Sequence, residues 1–337
     1  MKTIQTVRGP ILRQQCSMVL SHEHLFIDLT NQTDANAPER PLRPDDHQAL
    51  MCNPYQLKDN LRLDSYDEAL NECQRLLAAG CNTVVDCTTD EIGRNPALLR
   101  RLSEESGMNI IMGCGNYTGD THQAKFLNAS LEEAAEHLLH EIRNGIDGIR
   151  PGVIGEIGTS KDILPSELKA LRVAAKVQTQ TRLPIQVHIY PWCQNGLEVI
   201  RVLSQEGVPP ESIVICHSDV ALDEEYIFAM LKQGVWVQMD NFGKEFTPEG
   251  NGFAAGRFAK DSERVCLAAK IIRGGFGKQL LLTNDICLKC MLHGYGGQGY
   301  DHIFNDIIPL LVQHGEDEAY LKEIILRENP LRLLEVD

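Results

Sequence analysis

No segment of this 337-residue chain approaches the roughly 20 consecutive apolar residues that a membrane-spanning helix needs. The opening MKTIQTVRGPILRQQ lacks the continuous apolar core of a secretory signal, so a cytoplasmic location with no membrane contact is expected. A disulfide framework is also missing. The 11 cysteines are odd in number and scattered through strand-like and helix-like segments, which fits a reducing compartment. Basic residues are in short supply, 32 against 47 acidic ones, and the net charge of −15 repels nucleic acid and anionic membrane surfaces at long range. Internal repeats, low-complexity tracts and a linker are absent as well, leaving one domain over residues 1–337 as the expectation.

What is present is a rhythm of short β-branched runs alternating with longer amphipathic stretches. The runs are 17–20, 83–86, 110–113, 153–156, 185–188, 213–216, 235–239 and 280–283, each apolar enough to be covered on both faces. Ser130-Leu131-Glu132-Glu133 is a capping box opening a helix to Asn144, with Gly145 as its stop. Helices over 66–79, 223–233 and 261–273 likewise end at Gly80, Gly234 and Gly274. Eight strand–helix units predict an α/β fold, a single (β/α)8 TIM barrel. Two long connections, 31–64 and 241–260, follow strands and are expected on the catalytic face as lids.

Residues of metal-binding type recur at the ends of these runs: His22 and His24 in SHEHLFID, Glu156 in GVIGEIG, His188 in IQVHIY, His217 in IVICHSD and Asp285 in LLLTND. On an extended strand His22 and His24 point to one face and can reach one ion. Singly, each is an ordinary strand-end imidazole or carboxylate. Jointly, at the carboxyl ends of strands one, four, five, six and eight of a barrel, they converge on one centre. Imidazoles with carboxylates suit Zn²⁺ and its borderline neighbours.

These residues, together with the downstream Gly296-Gly297-Gln298-Gly299-Tyr300-Asp301 leading to Ile308-Pro309, make the chain resemble the phosphotriesterase-related branch of the amidohydrolase superfamily, and its phosphotriesterase homology proteins in particular. The resemblance implies two divalent ions per chain, zinc by family habit, and often a homodimer. It implies that His22, His24 and Asp285 hold the more buried ion, that His188 and His217 hold the more exposed one, and that Glu156 bridges them where many relatives use a carboxylated lysine. Two such ions would share a hydroxide as nucleophile, with Asp285 taking its proton.

The expected substrate is a small-molecule ester, a phosphate or phosphonate ester first and a lactone or carboxylic ester second. A mononuclear deaminase of the same superfamily lacks the bridging acid that Glu156 supplies, and a metal-stabilised binding protein without turnover is the remaining alternative. Tyr117 after the third strand, Lys244 after the seventh and Lys289 after the eighth are candidate substrate contacts, the lysines for a negatively charged group. Cys287-Leu288-Lys289-Cys290 has no second pair and reads as loop packing. The glycine-rich 274–279 stretch has Gln279 where a phosphate loop needs Ser or Thr, and reads as a helix stop. His137 and His140 fall on an exposed helical face.

Overall fold

The computed structural model describes residues 2–248 and 256–336, so residues 249–255 of the second expected lid lie outside the described residues. Eight strands form one parallel sheet in chain order: β1 (Met18–Glu23), β2 (Cys81–Asp86), β3 (Asn109–Cys114), β4 (Val153–Gly158), β5 (Ile185–His188), β6 (Ile213–Ile215), β7 (Trp236–Met239) and β8 (Leu280–Leu282). All eight expected runs are strands. Each is followed by a helix, and seven parallel ladders join neighbours from β1 to β8.

Local signals account for the helices. Ser130 Oγ accepts the Glu133 N–H at 3.2 Å while the Glu133 carboxylate accepts the Ser130 N–H at 2.8 Å, and the helix runs Leu131–Asn144 as expected. Asn95 caps Pro96–Ser106 through the Leu98 N–H, with proline in the first turn where no donor is missed. The helix expected over 261–273 ends earlier, at Ile271. The chain then passes through a wider turn, Ile272–Phe276, that Gly275 closes at φ +86°.

The barrel interior is layered. At the amino-terminal end Val19, Val85, Ile111 and Val153 pack with Ile4 of an N-terminal hairpin and with Leu331 and Leu334 of the last helix, sealing that end. Above this plug lies a buried polar layer: Gln186 Nε2 donates to the Ser21 carbonyl at 2.8 Å, Ser21 Oγ donates to Gln238 Oε1 at 3.4 Å, and Gln238 Nε2 donates to Asp240 Oδ2 at 3.2 Å. Such a layer is tolerated because its members satisfy one another. The third layer, at the carboxyl ends, holds the histidines.

Among the described residues no backbone ladder joins β8 to β1. Glu23 closes that seam instead: its carboxylate accepts from Thr283 Oγ1 at 2.6 Å and from the Asn284 and Ile286 N–H groups at 2.8 Å each. The 31–64 connection is more ordered than a flexible lid. It contains the helix His47–Cys52 and several single turns, and its end, Arg62–Leu63, pairs antiparallel with Ile27–Asp28. No helix among the described residues is long and apolar enough to cross a membrane.

Candidate functional site

The carboxyl ends of β1, β4, β5 and β6, with the turn after β8, bring His22, His24, Glu156, His188, His217 and Asp285 into one cluster, buried except for the half-buried His188. His22 and His24 do face the same space, their ring centroids 5.4 Å apart. Glu156 Oε1 lies 3.7 Å from His22 Nε2, 3.0 Å from His188 Nδ1 and 2.7 Å from His217 Nε2, while Oε2 lies 4.0 Å from His24 Nε2. Asp285 Oδ1 is 3.1 Å from His24 Nε2 and 3.6 Å from His22 Nε2. Ligand atoms of His22, His24 and Asp285, and separately of His22, Glu156 and His217, all lie within 4.8 Å of one another.

These residues fit a metal centre on three counts. His22 is fully buried and neither of its ring nitrogens has a hydrogen-bond partner, a costly state that coordination would relieve. Three carboxylates, Glu156, Asp240 and Asp285, are buried together, which demands compensating cations. The donor set is imidazole nitrogen and carboxylate oxygen, suited to Zn²⁺ and its neighbours.

The charges respond strongly to this crowding. Burial lowers the His22 pKa, and the surrounding carboxylates only partly offset it. On His217 burial acts in the same direction, but Asp240 and Glu156 overcome it and hold the ring well above the ordinary imidazole value. Burial opposes ionisation of Asp285, yet the Lys244 ammonium and the neighbouring imidazoles keep its carboxyl below the usual carboxylate range.

His217 and Asp285 sit at φ +55° and +50°, where non-glycine residues are strained and must be held. The His217 N–H donates to both oxygens of Asp240, at 2.9 and 3.0 Å, and its Nδ1 lies 3.0 Å from Asp240 Oδ1, leaving Nε2 aimed at Glu156. Glu23 grips the residues on either side of Asp285. Burial pushes the Glu23 carboxyl up to about 7, and the donors around it pull the other way. Asp86 Oδ2 accepts the Leu25 N–H at 2.7 Å and its Oδ1 the Thr88 N–H at 3.1 Å, and Thr88 Oγ1 sits 2.9 Å from His24 Nδ1. These outer partners fix ring orientation as metal sites require.

Asp240, Glu23, Asp86 and Thr88 did not emerge from the sequence reading. Asp240 obeyed the rule that found the others, because it directly follows the 235–239 run. Glu23 was hidden by alternation: it lies between two inward histidines, and its side chain points into the β8 seam.

The three substrate-contact candidates separate. Tyr117 is buried over the cluster, its hydroxyl 3.3 Å from His188 Nδ1 and its ring edge-on to that imidazole at 5.0 Å. Lys244 is buried too, and its Nζ donates to Asp285 Oδ2. Lys289 is not with them: it pairs with Asp59 at 2.8 Å and Asp64 at 3.6 Å, tying the 31–64 segment to the turn after β8. A buried lysine with two carboxylates in reach is spent on structure, so Lys289 is reassigned. Of the Cys-x-x-Cys pair, Cys290 packs in the core while Cys287 lines the cluster's cavity. His137 and His140 are exposed as expected.

Comparison with known proteins agrees with this geometry. The profile described as "Phosphotriesterase family" matches residues 2–334. The chain is 31% identical over 341 residues to the N-acetyltaurine hydrolase of Xenopus tropicalis, covering 98% of this chain and 97% of that protein, and 31% identical over 343 residues to that of Homo sapiens with the same coverage. Among solved structures, a resiniferatoxin-binding protein from Rhodobacter sphaeroides superposes with TM-score 0.93 at 31% identity, covering 98% of this chain and 94% of that one. A phosphotriesterase homology protein from Escherichia coli, solved with phosphate in its active site, superposes with TM-score 0.80 at 28% identity, covering 94% and 98%. A barrel whose carboxyl-terminal mouth gathers these side chains, matched along nearly its whole length, belongs to the phosphotriesterase family.

Proposed function

We propose that this chain is a metal-dependent hydrolase that cleaves the acyl bond of a small N-acylated amine. The observation that carries the reading is the convergence of four imidazoles and two carboxylates, buried and partly unpartnered, at the open end of the barrel. His22, His24 and Asp285 would hold one divalent ion, His188 and His217 a second, and Glu156 would bridge. When bound, such ions supply an activated water near neutral pH and a Lewis acid for the scissile carbonyl.

The chain's own residues divide the remaining work. Asp285 keeps Oδ1 toward His24, and its Oδ2 accepts from Lys244; it is the acceptor of the proton that water loses. The Tyr117 hydroxyl, next to His188 on the cavity side, is a donor for the carbonyl oxygen or the departing nitrogen. Asp240 and Thr88 hold the two rings they touch.

The sequence favoured a phosphate or phosphonate ester. Carbonyl chemistry is preferred here because the full-length curated relatives are named as hydrolases of N-acetyltaurine, an amide. A second reading, ligand binding without turnover, is favoured by the likeness to a resiniferatoxin-binding protein. One experiment separates these. Elemental analysis of the purified protein is expected to give two ions per chain, and a panel of N-acetyl amines, phosphodiesters, phosphonate monoesters and lactones is expected to show turnover of the amides. Turnover of phosphodiesters alone would return the assignment to the first expectation, and full metal occupancy with no hydrolysis would favour the binding reading.

A further inference from the structure

Two spaces meet at the metal cluster. One is a chamber of about 160 Å³ lined by His24, Glu156, His217, Asn241, Asp285 and Lys244 and also by the apolar Leu29, Ile92, Trp192, Phe246 and Phe258. The other is an open vestibule of about 840 Å³, lined by hydrogen-bonding groups such as Asn36, Asn53, Thr118, Ser160 and Lys161. Tyr55, Tyr117 and His188 line both and mark where the two adjoin.

We propose that the chamber receives the acyl chain and the vestibule the amine part, so that the substrates are short-chain acyl derivatives of polar amines and Phe258 sets the acyl length. The inference rests on the amide-hydrolase reading above. The aliphatic and aromatic part of the chamber offers a polar or ionic group nothing in exchange for its hydration, so the amine part favours the vestibule. The vestibule returns those hydrogen bonds and opens to water, where a charged product can leave.

Size follows from volume. At about 30 Å³ per water-sized group the chamber holds about five, and the reacting water and ions claim part of it, which leaves room for an acyl group of about four carbons. Phe258 meets Trp192 and Phe246 edge-on, each at 5.3 Å between centroids, so one ring cannot turn aside without disturbing the other two. The reaction balances as a simple hydrolysis: the water oxygen bonds to the acyl carbon, the carbon–nitrogen bond breaks, and the nitrogen takes both protons of that water, the first in the cleavage step and the second from the resulting carboxylic acid. The products are a short carboxylate and an ammonium.

The test is a substrate series on the metal-loaded protein. With taurine as the amine, kcat/KM is expected to hold within tenfold from acetyl to butyryl and to fall at least a hundredfold at octanoyl. With acetyl fixed, enlarging the amine from taurine to glycylglycine is expected to change kcat/KM by less than tenfold. Phe258→Ala is expected to raise the octanoyl-to-butyryl ratio at least tenfold; should that variant not fold, the wild-type series decides alone. Octanoyl turned over as well as butyryl, or loss of turnover on enlarging the amine, overturns the assignment of the two spaces while leaving amide hydrolysis intact. Hydrolysis of none of these amides, with phosphodiesters or lactones cleaved, overturns both.

Discussion

At Asp285 the two carboxylate oxygens have different partners, His24 and His22 on one side and Lys244 on the other. On the proposed reading Asp285 both binds an ion and accepts a proton, and it can lose the second role without the first. Asp285→Asn keeps a ligand oxygen and loses the base, so kcat should fall by about 10²–10⁴-fold, the usual worth of general base catalysis. Metal content measured on the same preparation should fall far less, and an equal loss in both would reduce Asp285 to a ligand. Asp240 acts through His217 rather than on substrate. Asp240→Asn removes the charge that orients the ring and should cost about 10–100-fold in metal affinity, the range seen for such outer partners. Titration of the apoprotein with Zn²⁺ reads this directly, and an unchanged affinity would show that His217 is held by its strand alone.

Among the elements, the turn after β8 and the loop after β7 matter most, because each presents a charged group and neither is regular structure. Glu23 holds the first. Glu23→Gln keeps one acceptor oxygen and puts an NH2 where the other faced the Asn284 or the Ile286 N–H, at about 1–3 kcal/mol for the unsatisfied group, so the melting temperature should drop even with metal bound. The second loop is pinned by Asp261, which accepts the Gly243 N–H at 3.1 Å and pairs with Arg264 at 2.8 Å and with His302 Nε2 at 2.8 Å.

Burial lowers the His302 pKa, but the Asp261 and Asp306 carboxylates outweigh it and raise the value, while Asp261 is itself held low against its own burial cost chiefly by His302 and Arg264. A raised imidazole adds stability that is complete below its unfolded value of about 6.5 and is lost as pH rises through the folded one. A depressed carboxylate adds stability above its unfolded value that is lost as pH falls through the folded one. His302→Asn should therefore flatten the alkaline decline in melting temperature above pH of about 6.5 relative to wild type. Identical curves would remove this pair from the loop's anchoring.

For the whole molecule, carboxylates at the barrel mouth link four strand ends to a neighbour: Asp86 steadies the end of β1, Glu23 the turn after β8, Asp240 the residue after β6, and Asp219 the end of β7 through the Asn241 N–H at 3.0 Å. Arg264 balances Asp219 at 3.2 Å, whereas the charge of Asp240 beside Glu156 and Asp285 would be offset by the proposed ions. Stripping the metal with a chelator should lower the melting temperature, and restoring two equivalents of Zn²⁺ should recover it by mass action. Because Glu156 supplies its own carboxylate, recovery should be equal with and without bicarbonate, and a strong bicarbonate requirement would argue against it as the bridge.

Strand order, most helix boundaries and the residues at the mouth were legible along the chain. Those depend on short-range signals: apolar runs, capping residues, and the rule that a barrel displays its chemistry at strand ends. The partners of Glu23, Asp240 and Lys289, and the division of the cavity into two spaces, came only with folding. These depend on which groups meet across distant strands and loops. A lysine that is free and one that is paired with Asp59 read the same along the chain, and the difference arises only when folding buries both partners within reach.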